Sequence, residues 1–388
     1  MKRVVITGIG IYSCIGIGKK EVLESLKSGK CGLISNEKRL NRGFRSSLTG
    51  NLPEPDIPRP LQRFMAEESK YAYVAALEAL TDSDGLTDCG VIIGNDSSSR
   101  AMAESIDMWR KYTKTSKLGP THVIKTLNSN PTAVITNLFK LRGMSFSVGG
   151  ACASGGHAIG IAYSLIRQGI EPAILCGGCQ EVNEYSVFAF DALGNFSVNP
   201  NPEEAVRPFD EMRSGLVPSG GAACLILENL DYALSRGAKI YGEIVGYGAT
   251  SSGELVASTT ESQISCMKKA LGDVHPEDVS LISAHATGTR EGDKIEADAI
   301  KAVFGNSPYI SATKALTGHE MWMAGASEVI YSLLAAREGF IPPNINTADF
   351  SMGLNIRKEL VETKPKMILS NSFGLGGTNS SLLISVES

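Results

Sequence analysis

Two stretches of this chain repeat one plan, and this repeat restricts the fold more than any other feature. Residues 145–169 (SFSVGGACASGGHAIGIAYSLIRQG) and residues 309–339 (YISATKALTGHEMWMAGASEVIYSLLAAREG) each contain a short strand, a glycine turn and an apolar helix with Tyr-Ser-Leu. A strand and another glycine turn follow in both cases, AILCGG and MILSNSFGLGG. Such self-similarity predicts two halves of related structure. We place these halves at residues 1–238 and 239–388.

The rest of the chain alternates strands with helices. Apolar runs such as GVIIG, PAILC, AACLILE and VSLISAH are separated by helical patterns such as EVLESLKSG and ESQISCMKKALG. Uninterrupted apolar strands between helices indicate largely buried, layered sheets. A chain with 43% hydrophobic residues, 20% charged residues and 41 glycines is typical of a globular α/β protein with many tight turns.

Composition excludes several classes of function. The net charge is -4, and no run of basic residues offers a surface for nucleic acid. No apolar run reaches membrane-spanning length, and the start VVITGIG suits a buried strand and turn better than a signal peptide. The eight cysteines are scattered apart from Cys176 and Cys179, a pair that we interpret as structural. We therefore expect free thiols, no metal and a cytoplasmic location.

Cys152 stands between two glycine pairs, where an apolar run meets the start of an apolar helix. The unpaired N–H groups and the dipole of a helix start stabilise a thiolate, and glycines allow a sharp turn that a substrate carbonyl can approach. These residues alone leave two interpretations open, a nucleophile and a small core thiol. Aligning the two Tyr-Ser-Leu motifs puts Cys152 opposite Glu320. We therefore expect Cys152 to lie beside His319.

Two of the five histidines stand in turns directly after apolar strands. His285 begins HATGTREGD, and His319 ends KALTGH. His157 lies on the apolar helix and is interpreted as a hydrogen-bonded core residue. Lys314 precedes His319 by five positions, and a surface position is the alternative interpretation of this lysine.

At these residues the chain resembles the β-ketoacyl-[acyl carrier protein] synthases of type I/II, which are condensing enzymes with the thiolase fold. The resemblance runs from VVITGIGIYSCIG to the C-terminal end and includes FDALG, RPFDEMRSGLVPSGGAACLILE, KIYGEIVGYGATS, TGHE and NSFGLGGTN. It implies an α/β fold of two pseudo-duplicated halves in a layered αβαβα arrangement. The N-terminal half carries the nucleophile, and the C-terminal half carries two catalytic histidines.

The resemblance implies a catalytic set. Cys152, His285 and His319 match the family's Cys-His-His residues, and Lys314 with Glu328 matches a pair that orients this network. Because the chain has the nucleophile, both histidines and the lysine, the resemblance implies an acyltransferase.

The implied chemistry is a decarboxylative condensation. A thiolate at Cys152 takes an acyl chain from an acyl carrier protein, and backbone N–H groups of Cys152 and Leu375 hold the oxyanion. Malonyl-carrier protein then loses carbon dioxide. Neutral His285 and His319 each donate through Nε2 to the enolate if the other ring nitrogen accepts from backbone or lysine. The carbanion attacks the acyl-cysteine, and no cofactor is expected because phosphopantetheine carries the substrates.

Further positions match family residues around the substrates. The phosphopantetheine arm is expected at Thr287 and Thr289, which also suit an ordinary turn. An acidic carrier protein calls for a basic patch, and the matching positions are Arg59, Arg63 and Lys125. A solvated face is the alternative interpretation of each basic residue.

The chain departs from the family at the acyl pocket. Phe373 is retained, but Leu375 stands where the family usually has a phenylalanine gate, and Glu-Met-Trp-Met replaces small residues after His319. We interpret Phe373, Leu375 and Trp322 as pocket or gate residues. The hypothesis is an altered choice of acyl chain, toward short, branched, unsaturated or aromatic primers. Compensated core packing is the alternative.

Other functions stay open at this point. A ketosynthase of a specialised polyene or polyketide pathway fits the same residues, whereas a chain-length-factor-like partner subunit typically lacks the nucleophile. A thiolase would need a second catalytic cysteine near the C-terminus, and Cys266 is the last cysteine in the chain. Initiating condensing enzymes use Cys-His-Asn. We expect a homodimer formed through the strand SFSVGG, or a heterodimer with a related subunit.

Overall fold

The strands and helices repeat across the two halves of the chain. The computed structural model describes residues 1–84, 86, 88–256, 258–347 and 352–386. In these residues the strands are β1 (Val4–Ser13), β2 (Gly16–Ile17), β3 (Leu33–Ser35), β4 (Leu48–Gly50), β5 (Gly90–Gly94), β6 (Ser145–Val148), β7 (Ala173–Gln180), β8 (Gly221–Asn229), β9 (Gly242–Ser251), β10 (Leu281–Ser283), β11 (Tyr309–Ser311), β12 (Phe340–Ile341), β13 (Val361–Glu362), β14 (Met367–Phe373) and β15 (Thr378–Ser385). The α-helices are α1 (Lys19–Ser28), α2 (Glu37–Leu40), α3 (Arg59–Gln62), α4 (Glu67–Asp82), α5 (Ser99–Tyr112), α6 (His122–Lys125), α7 (Asn130–Phe139), α8 (Ser154–Arg167), α9 (Glu184–Ala192), α10 (Leu230–Ser235), α11 (Thr260–Leu271), α12 (Arg290–Phe304), α13 (Lys314–Thr317) and α14 (Ala324–Glu338).

Each half builds a five-stranded sheet with the same strand order. The first sheet runs β6-β5-β7-β8-β1, and the second runs β11-β10-β14-β15-β9. The directions also correspond, because β5 is parallel to β6 and β7, as β10 is to β11 and β14. Antiparallel pairing of residues 4–6 with residues 242–244 joins the two sheets at one edge. The two related halves predicted from the repeat are thereby confirmed.

The helices form three layers around the sheets. Helices α8 and α14 lie between the sheets, and each packs against strands of both halves. Helix α14 is buried on all sides along residues 324–336, which explains why it lacks a polar face. Helix α4 covers β1 and β8 on one outer side, and α11 covers β9 and β15 on the other. This is the predicted αβαβα arrangement.

The starts of α8 and α14 touch through glycines. A Cβ atom added at Gly155 would lie 3.0 Å from the backbone N of Ala326, and one added at Gly325 would lie 2.5 Å from the backbone N of Gly156. These reciprocal distances leave no room for a side chain at either glycine. The two helix starts therefore face each other across the pseudo-twofold axis.

The predicted register of the repeat is wrong by two residues. Helices α8 and α14 begin at Ser154 and Ala324, so Cys152 corresponds to Trp322 and not to Glu320. The Tyr-Ser-Leu motif misled the alignment because it stands two positions earlier in the second helix. Two residues rotate a helix by about 200°, so the two motif tyrosines point to different surroundings.

The connection between the halves lies between α10 and β9. The predicted division at residues 238/239 falls in this connection and stays a prediction. Among the described residues, no helix combines the length and apolarity that crossing a bilayer requires. All eight cysteines lie in the described part of the chain and are unpaired.

Candidate active site

Cys152 lies in a tight turn between β6 and α8. The 3-10 turn Ala151–Ala153 begins with a strained residue, because Ala151 has a φ of 46°, in the left-handed region that favours glycine. The Ser154 hydroxyl closes the turn, accepting from the N–H of Gly150 at 2.9 Å and donating to the carbonyl of Ala151 at 2.7 Å. The thiol is buried at this helix start.

The histidines lie beside the thiol. Nε2 of His319 is 3.0 Å from Sγ of Cys152, and the rings of His285 and His319 meet edge to face with centroids 5.2 Å apart. The backbone of His319 is fixed by two hydrogen bonds of 2.8 Å, since its N–H donates to Val217 and its carbonyl accepts from Ser219. The predicted contact between Cys152 and His319 is confirmed.

Two buried carboxyl groups hold the loop that carries His285. Glu296 accepts from the N–H of His285 at 2.8 Å and from the N–H of Ala286 at 2.7 Å. Ala286 has a φ of 28°, so this loop also contains a strained residue. Asp293 accepts from the N–H of Gly288 at 3.0 Å. Burial raises the pKa of both carboxyl groups, to about 7 for Asp293, and these N–H groups oppose the rise.

Burial sets the charge of the catalytic groups. It raises the pKa of Cys152 to about 11, while the backbone N–H of Leu375, the charge of Lys314 and the N–H of Cys152 itself oppose the rise. It lowers the pKa of His285 and His319 well below the usual range, and Lys314 adds to this effect. Both imidazoles are therefore neutral near pH 7, and each keeps one N–H to donate.

Lys314 is buried and paired with Glu328. Its Nζ contacts the Glu328 carboxylate, and both side chains are about 2% exposed. A surface position for Lys314 is thereby wrong. Burial raises the pKa of Glu328, and Lys314 opposes that rise. Nδ1 of His285 and Nδ1 of His319 have no hydrogen-bond partner within the described residues, so neither ring makes the expected contact with backbone or lysine there.

One cavity of about 570 Å³ opens onto the thiol. The sequence-predicted residues in its wall are Cys152, His285, His319, Thr287, Thr289, Phe373 and Leu375. The half-buried hydroxyls of Thr287 and Thr289 form a hydrogen bond with each other at 2.9 Å. Phe373 packs against His285 with centroids 6.1 Å apart, while Leu375 is 40% exposed at the mouth.

Trp322 packs near the thiol in an apolar cluster with Cys152 and Phe196. Its Nε1 donates to the hydroxyl of Ser97 at 3.3 Å, and its ring is tilted against Phe190 with centroids 5.8 Å apart. Phe190 lines the cavity. The indole therefore supports one aromatic wall of the cavity, and its orientation is fixed by a hydrogen bond.

Sequence reasoning missed part of the cavity wall. The additional lining residues include Phe190, Leu193, Phe196, Leu216, Arg290 and Glu291. The available signal was the aromatic run FAFDALGNF, which spans the end of α9 and contains the glycine turn at Gly194. Alternation of apolar and polar residues could not separate these aromatic residues from ordinary core residues.

The three predicted carrier-patch residues lie on neighbouring segments. Arg59 is in α3, Arg63 follows that helix, and Lys125 ends α6. The buried amide of Asn130 ties the segments together, because its Nδ2 donates to the carbonyls of residues 64 and 124 at 2.9 Å. An apolar hollow of about 280 Å³ lies between them, lined in part by Phe64.

The catalytic cluster also has the donor set of a metal site. One Sγ and two imidazole nitrogens of Cys152, His285 and His319 lie within 4.8 Å of one another. Sulfur and imidazole are ligands that zinc accepts. A cation bound there would occupy the thiol lone pairs, so nucleophilic use and metal binding exclude each other at this site.

Without a metal, the arrangement suits acyl transfer. A thiol at a helix start touches a neutral imidazole, and the backbone N–H groups of Cys152 and Leu375 favour its thiolate form. Such N–H pairs stabilise the oxyanion formed when a thiolate attacks a carbonyl. The second imidazole lies where it can donate to another carbonyl in the same cavity.

Comparison with known proteins agrees with this geometry. Residues 1–233 match the family described as Beta-ketoacyl synthase, N-terminal domain, and residues 241–348 match Beta-ketoacyl synthase, C-terminal domain. The chain is 40% identical to 3-oxoacyl-[acyl-carrier-protein] synthase 1 of Haemophilus influenzae, over 99% of this chain and 98% of that protein.

Solved structures are similar over the same length. A beta-ketoacyl synthase from Burkholderia phymatum superposes with a TM-score of 0.91 at 30% identity, covering 99% of both chains. A ketosynthase solved in complex with its type II polyketide acyl-carrier protein superposes with a TM-score of 0.89 at 26% identity, again over 99% of both chains. By its two matched domains and its full-length relatives, this chain belongs to the β-ketoacyl synthase family.

Proposed function

We propose that this protein condenses an acyl group held on Cys152 with malonyl-acyl carrier protein, giving 3-oxoacyl-acyl carrier protein and carbon dioxide. This is the chain-elongation step of fatty-acid synthesis. One observation carries the proposal: Sγ of the buried Cys152 lies 3.0 Å from Nε2 of His319, directly before the start of α8. The 3-oxoacyl-carrier synthases among its full-length relatives support it.

The first step is transfer of the acyl group. The sulfur of Cys152 attacks the thioester carbonyl, and its proton passes to Nε2 of His319. The N–H groups of Cys152 and Leu375 stabilise the oxyanion. The carbon–sulfur bond to the carrier then breaks, and the departing phosphopantetheine thiolate takes the proton from His319. The imidazole is neutral again at the end of the step.

The second step is decarboxylation and condensation. The malonyl carboxylate leaves as carbon dioxide, and the electron pair moves into an enolate whose oxygen accepts from Nε2–H of His285 and, after the ring proton of His319 has moved from Nδ1 to Nε2, from His319. The carbanion attacks the acyl-cysteine carbonyl and displaces the thiolate of Cys152. Both histidines serve here because burial keeps them neutral, with a proton to donate and no positive charge that would stabilise the malonyl carboxylate and oppose its loss.

Intact-protein mass spectrometry tests this function. Wild-type protein incubated with acyl-carrier proteins of several chain types should gain the mass of one acyl group. Adding malonyl-carrier protein should remove that mass and yield a 3-oxoacyl-carrier protein. If no thioester acylates the protein, the function is wrong, and the chain-length-factor-like subunit becomes the alternative.

The carrier protein is proposed to dock at the basic patch. Exposed Arg59 and Arg63 and half-buried Lys125 surround an apolar hollow, which suits an acidic helix with one apolar side chain. The double variant Arg63→Glu/Lys125→Glu should raise KM for acyl-carrier protein about tenfold or more with little change in kcat. Steady-state kinetics checks this, with Lys294→Glu on the exposed face of α12 as the control. Equal KM values in both variants would move the docking surface elsewhere.

We further propose a homodimer through β6. This strand is an end strand of its sheet, and residue 145 is exposed. An unpaired strand edge pairs readily with another chain. Helix α5 also exposes an apolar stripe, formed by Met102, Ile106 and Trp109. Light scattering would measure the oligomeric state in solution. The alternative is a heterodimer in which a related subunit pairs with this edge.

The proposed reaction needs no resident cofactor, because decarboxylation itself supplies the carbanion. A cytoplasmic site of action is part of the proposal and is supported by eight unpaired cysteines in the described chain. The same proposal includes a division into two domains at residues 1–238 and 239–388. It also assigns binding of the phosphopantetheine arm to Thr287 and Thr289.

A specialised pathway is the second candidate function. The observation that favours it is the aromatic wall of Phe190 and Phe196, which Trp322 supports from behind without lining the cavity, together with Leu375 at the gate. Flat, unsaturated chains stack well on aromatic rings. In the same mass-spectrometry panel, faster acylation by unsaturated than by saturated carriers of equal length would support it. An even preference would favour fatty-acid elongation.

A further inference from the structure

Asp96 contacts the nucleophile turn from a different strand. It follows β5, and its Oδ2 accepts a hydrogen bond from the N–H of Ala151 at 3.0 Å. Ala151 directly precedes Cys152 and is the residue with the left-handed φ of 46°. The other carboxylate oxygen faces Gly149, where an added Cβ atom would lie 2.5 Å from Oδ1. The carboxylate is therefore seated against the backbone of the turn.

The position of Asp96 is itself fixed. The N–H of Asn95 donates to the carbonyl of Val148 at 3.1 Å, which ties the segment to β6. The amide of Asn95 donates to the carbonyl of Asn128 at 2.9 Å, and the amide of Asn128 donates to the carbonyl of Asp96 at 3.0 Å. Asp96 is thus built into the site and is not a freely moving surface carboxylate.

The second catalytic loop uses the same device. Ala286, which directly follows His285, also has a positive φ, and its N–H is bound by the Glu296 carboxylate at 2.7 Å. In both loops, therefore, a non-glycine residue next to a catalytic residue is strained, and a carboxylate from another segment binds its N–H. A backbone N–H in such a turn has no regular partner, so the acceptor selects the strained conformation.

We propose that Asp96 is a positioning residue that holds Ala151 in its left-handed conformation and thereby aims the thiol and the N–H of Cys152 at the substrate carbonyl. The inference rests on the proposed function, since it assigns Asp96 a part in acylation of Cys152. Its charge cannot be the reason for its presence, because a carboxylate near the sulfur opposes thiolate formation and raises the pKa of Cys152. A geometric role explains why it stands there despite that cost.

Two substitutions separate acceptor from charge. Asp96→Asn keeps an acceptor oxygen and removes the charge, whereas Asp96→Ala removes both. We expect Asp96→Ala to lower the acylation rate constant at saturating acyl-carrier protein about 10- to 100-fold, since small misplacements of reacting groups cost this much. Asp96→Asn should stay within about threefold of wild type, because it can still bind the N–H of Ala151. Asp273→Ala, in an exposed turn, is the matched control.

Alkylation by iodoacetamide gives a readout that is independent of the ketosynthase reaction. Peptide mapping reports the alkylation of Cys152 alone. In both Asp96 variants the pH dependence of this alkylation rate should shift to lower pH, because a neighbouring negative charge is gone. Wild-type acylation kinetics in Asp96→Ala would overturn the proposal whether or not its alkylation profile shifts, as would Asp96→Asn acylating as slowly as Asp96→Ala. If Asp96→Ala does not fold, Asp96→Leu replaces it, since leucine has a similar shape and no acceptor: slow acylation supports the role, and a wild-type rate overturns it. If neither wild type nor any variant is acylated while Cys152 is alkylated normally, the proposed function is rejected instead.

Discussion

Replacing Cys152 by alanine is expected to abolish the acyl-enzyme adduct and to lower the condensation rate by at least about 10³-fold, since a missing nucleophile removes the covalent route. The fold should survive, because alanine is smaller than cysteine and the side chain leaves only a small gap. Intact-protein mass spectrometry and release of the 3-oxo product measure both effects, and the thermal midpoint checks stability.

Cys31 provides the matched control for this prediction. It is a half-buried thiol whose weak contacts to backbone carbonyls at 3.7 and 3.8 Å lie outside the cavity. Cys31→Ala should acylate and condense like wild type. An acyl adduct that persists in Cys152→Ala and disappears in Cys31→Ala would show that the nucleophile is misassigned.

Replacing Lys314 by methionine is expected to have the largest effect on stability. The change leaves the Glu328 carboxyl buried without its cation, and breaking a buried pair in this way costs about 3–5 kcal/mol in free energy of unfolding. It also removes the positive charge that lowers the pKa of Cys152. Urea denaturation measures the free energy of unfolding. The change in the pKa of Cys152 is measured by the pH dependence of its alkylation, which should move to higher pH.

The stability loss in Lys314→Met should grow as pH rises. Burial already raises the pKa of Glu328, and loss of the opposing lysine raises it further. A carboxyl whose pKa is higher in the folded than in the unfolded state keeps its proton only in the folded state, so folding becomes less favourable above the unfolded pKa. Because the pKa of Glu328 is about 8 in wild type and higher in the variant, the deficit against wild type should be larger at pH 9 than at pH 6.5.

A second substitution and a surface pair complete this test. Lys314→Met/Glu328→Gln should recover part of the stability and lose the extra pH dependence, without recovering activity. Lys294→Met, which breaks an exposed pair with Asp298, should change stability by less than about 1 kcal/mol. A Lys314→Met protein as stable as wild type at both pH values would mean that the buried pair is energetically neutral.

The fold and the reaction were predictable because their signals are local and repeated. The strand–turn–helix units around Cys152 and His319 predicted two related halves. Because the chain has few histidines, His285 and His319 were conspicuous candidates. Each of these features depends on a few neighbouring residues. Their meeting in space followed from the duplication, since equivalent helix starts in a pseudo-twofold fold face each other.

Contacts between distant segments were not predictable in the same way. The predicted register of the repeat was wrong by two residues because it was based on Tyr163 and Tyr331. These two tyrosines stand at different distances from the starts of their helices. Asp96 gave no signal at all, since an acidic residue after a strand is ordinary until the backbone of Ala151 is seen to need an acceptor. The sequence also could not show that Nδ1 of His285 and Nδ1 of His319 have no partner among the described residues, because this depends on three-dimensional placement.

The corresponding positions of Cys152 and Trp322 carry a consequence for how a duplicated chain comes to have one reaction centre. Both stand in a short turn before a central helix, and the residues before them, Ala151 and Met321, share a φ near 46°. A symmetric ancestor would have presented two equivalent turns to one axis. Here one turn bears the thiol and the other bears an indole. At this one pair of matched positions the two halves have therefore diverged: one copy carries the nucleophile, and its counterpart packs behind the aromatic residues that line the cavity.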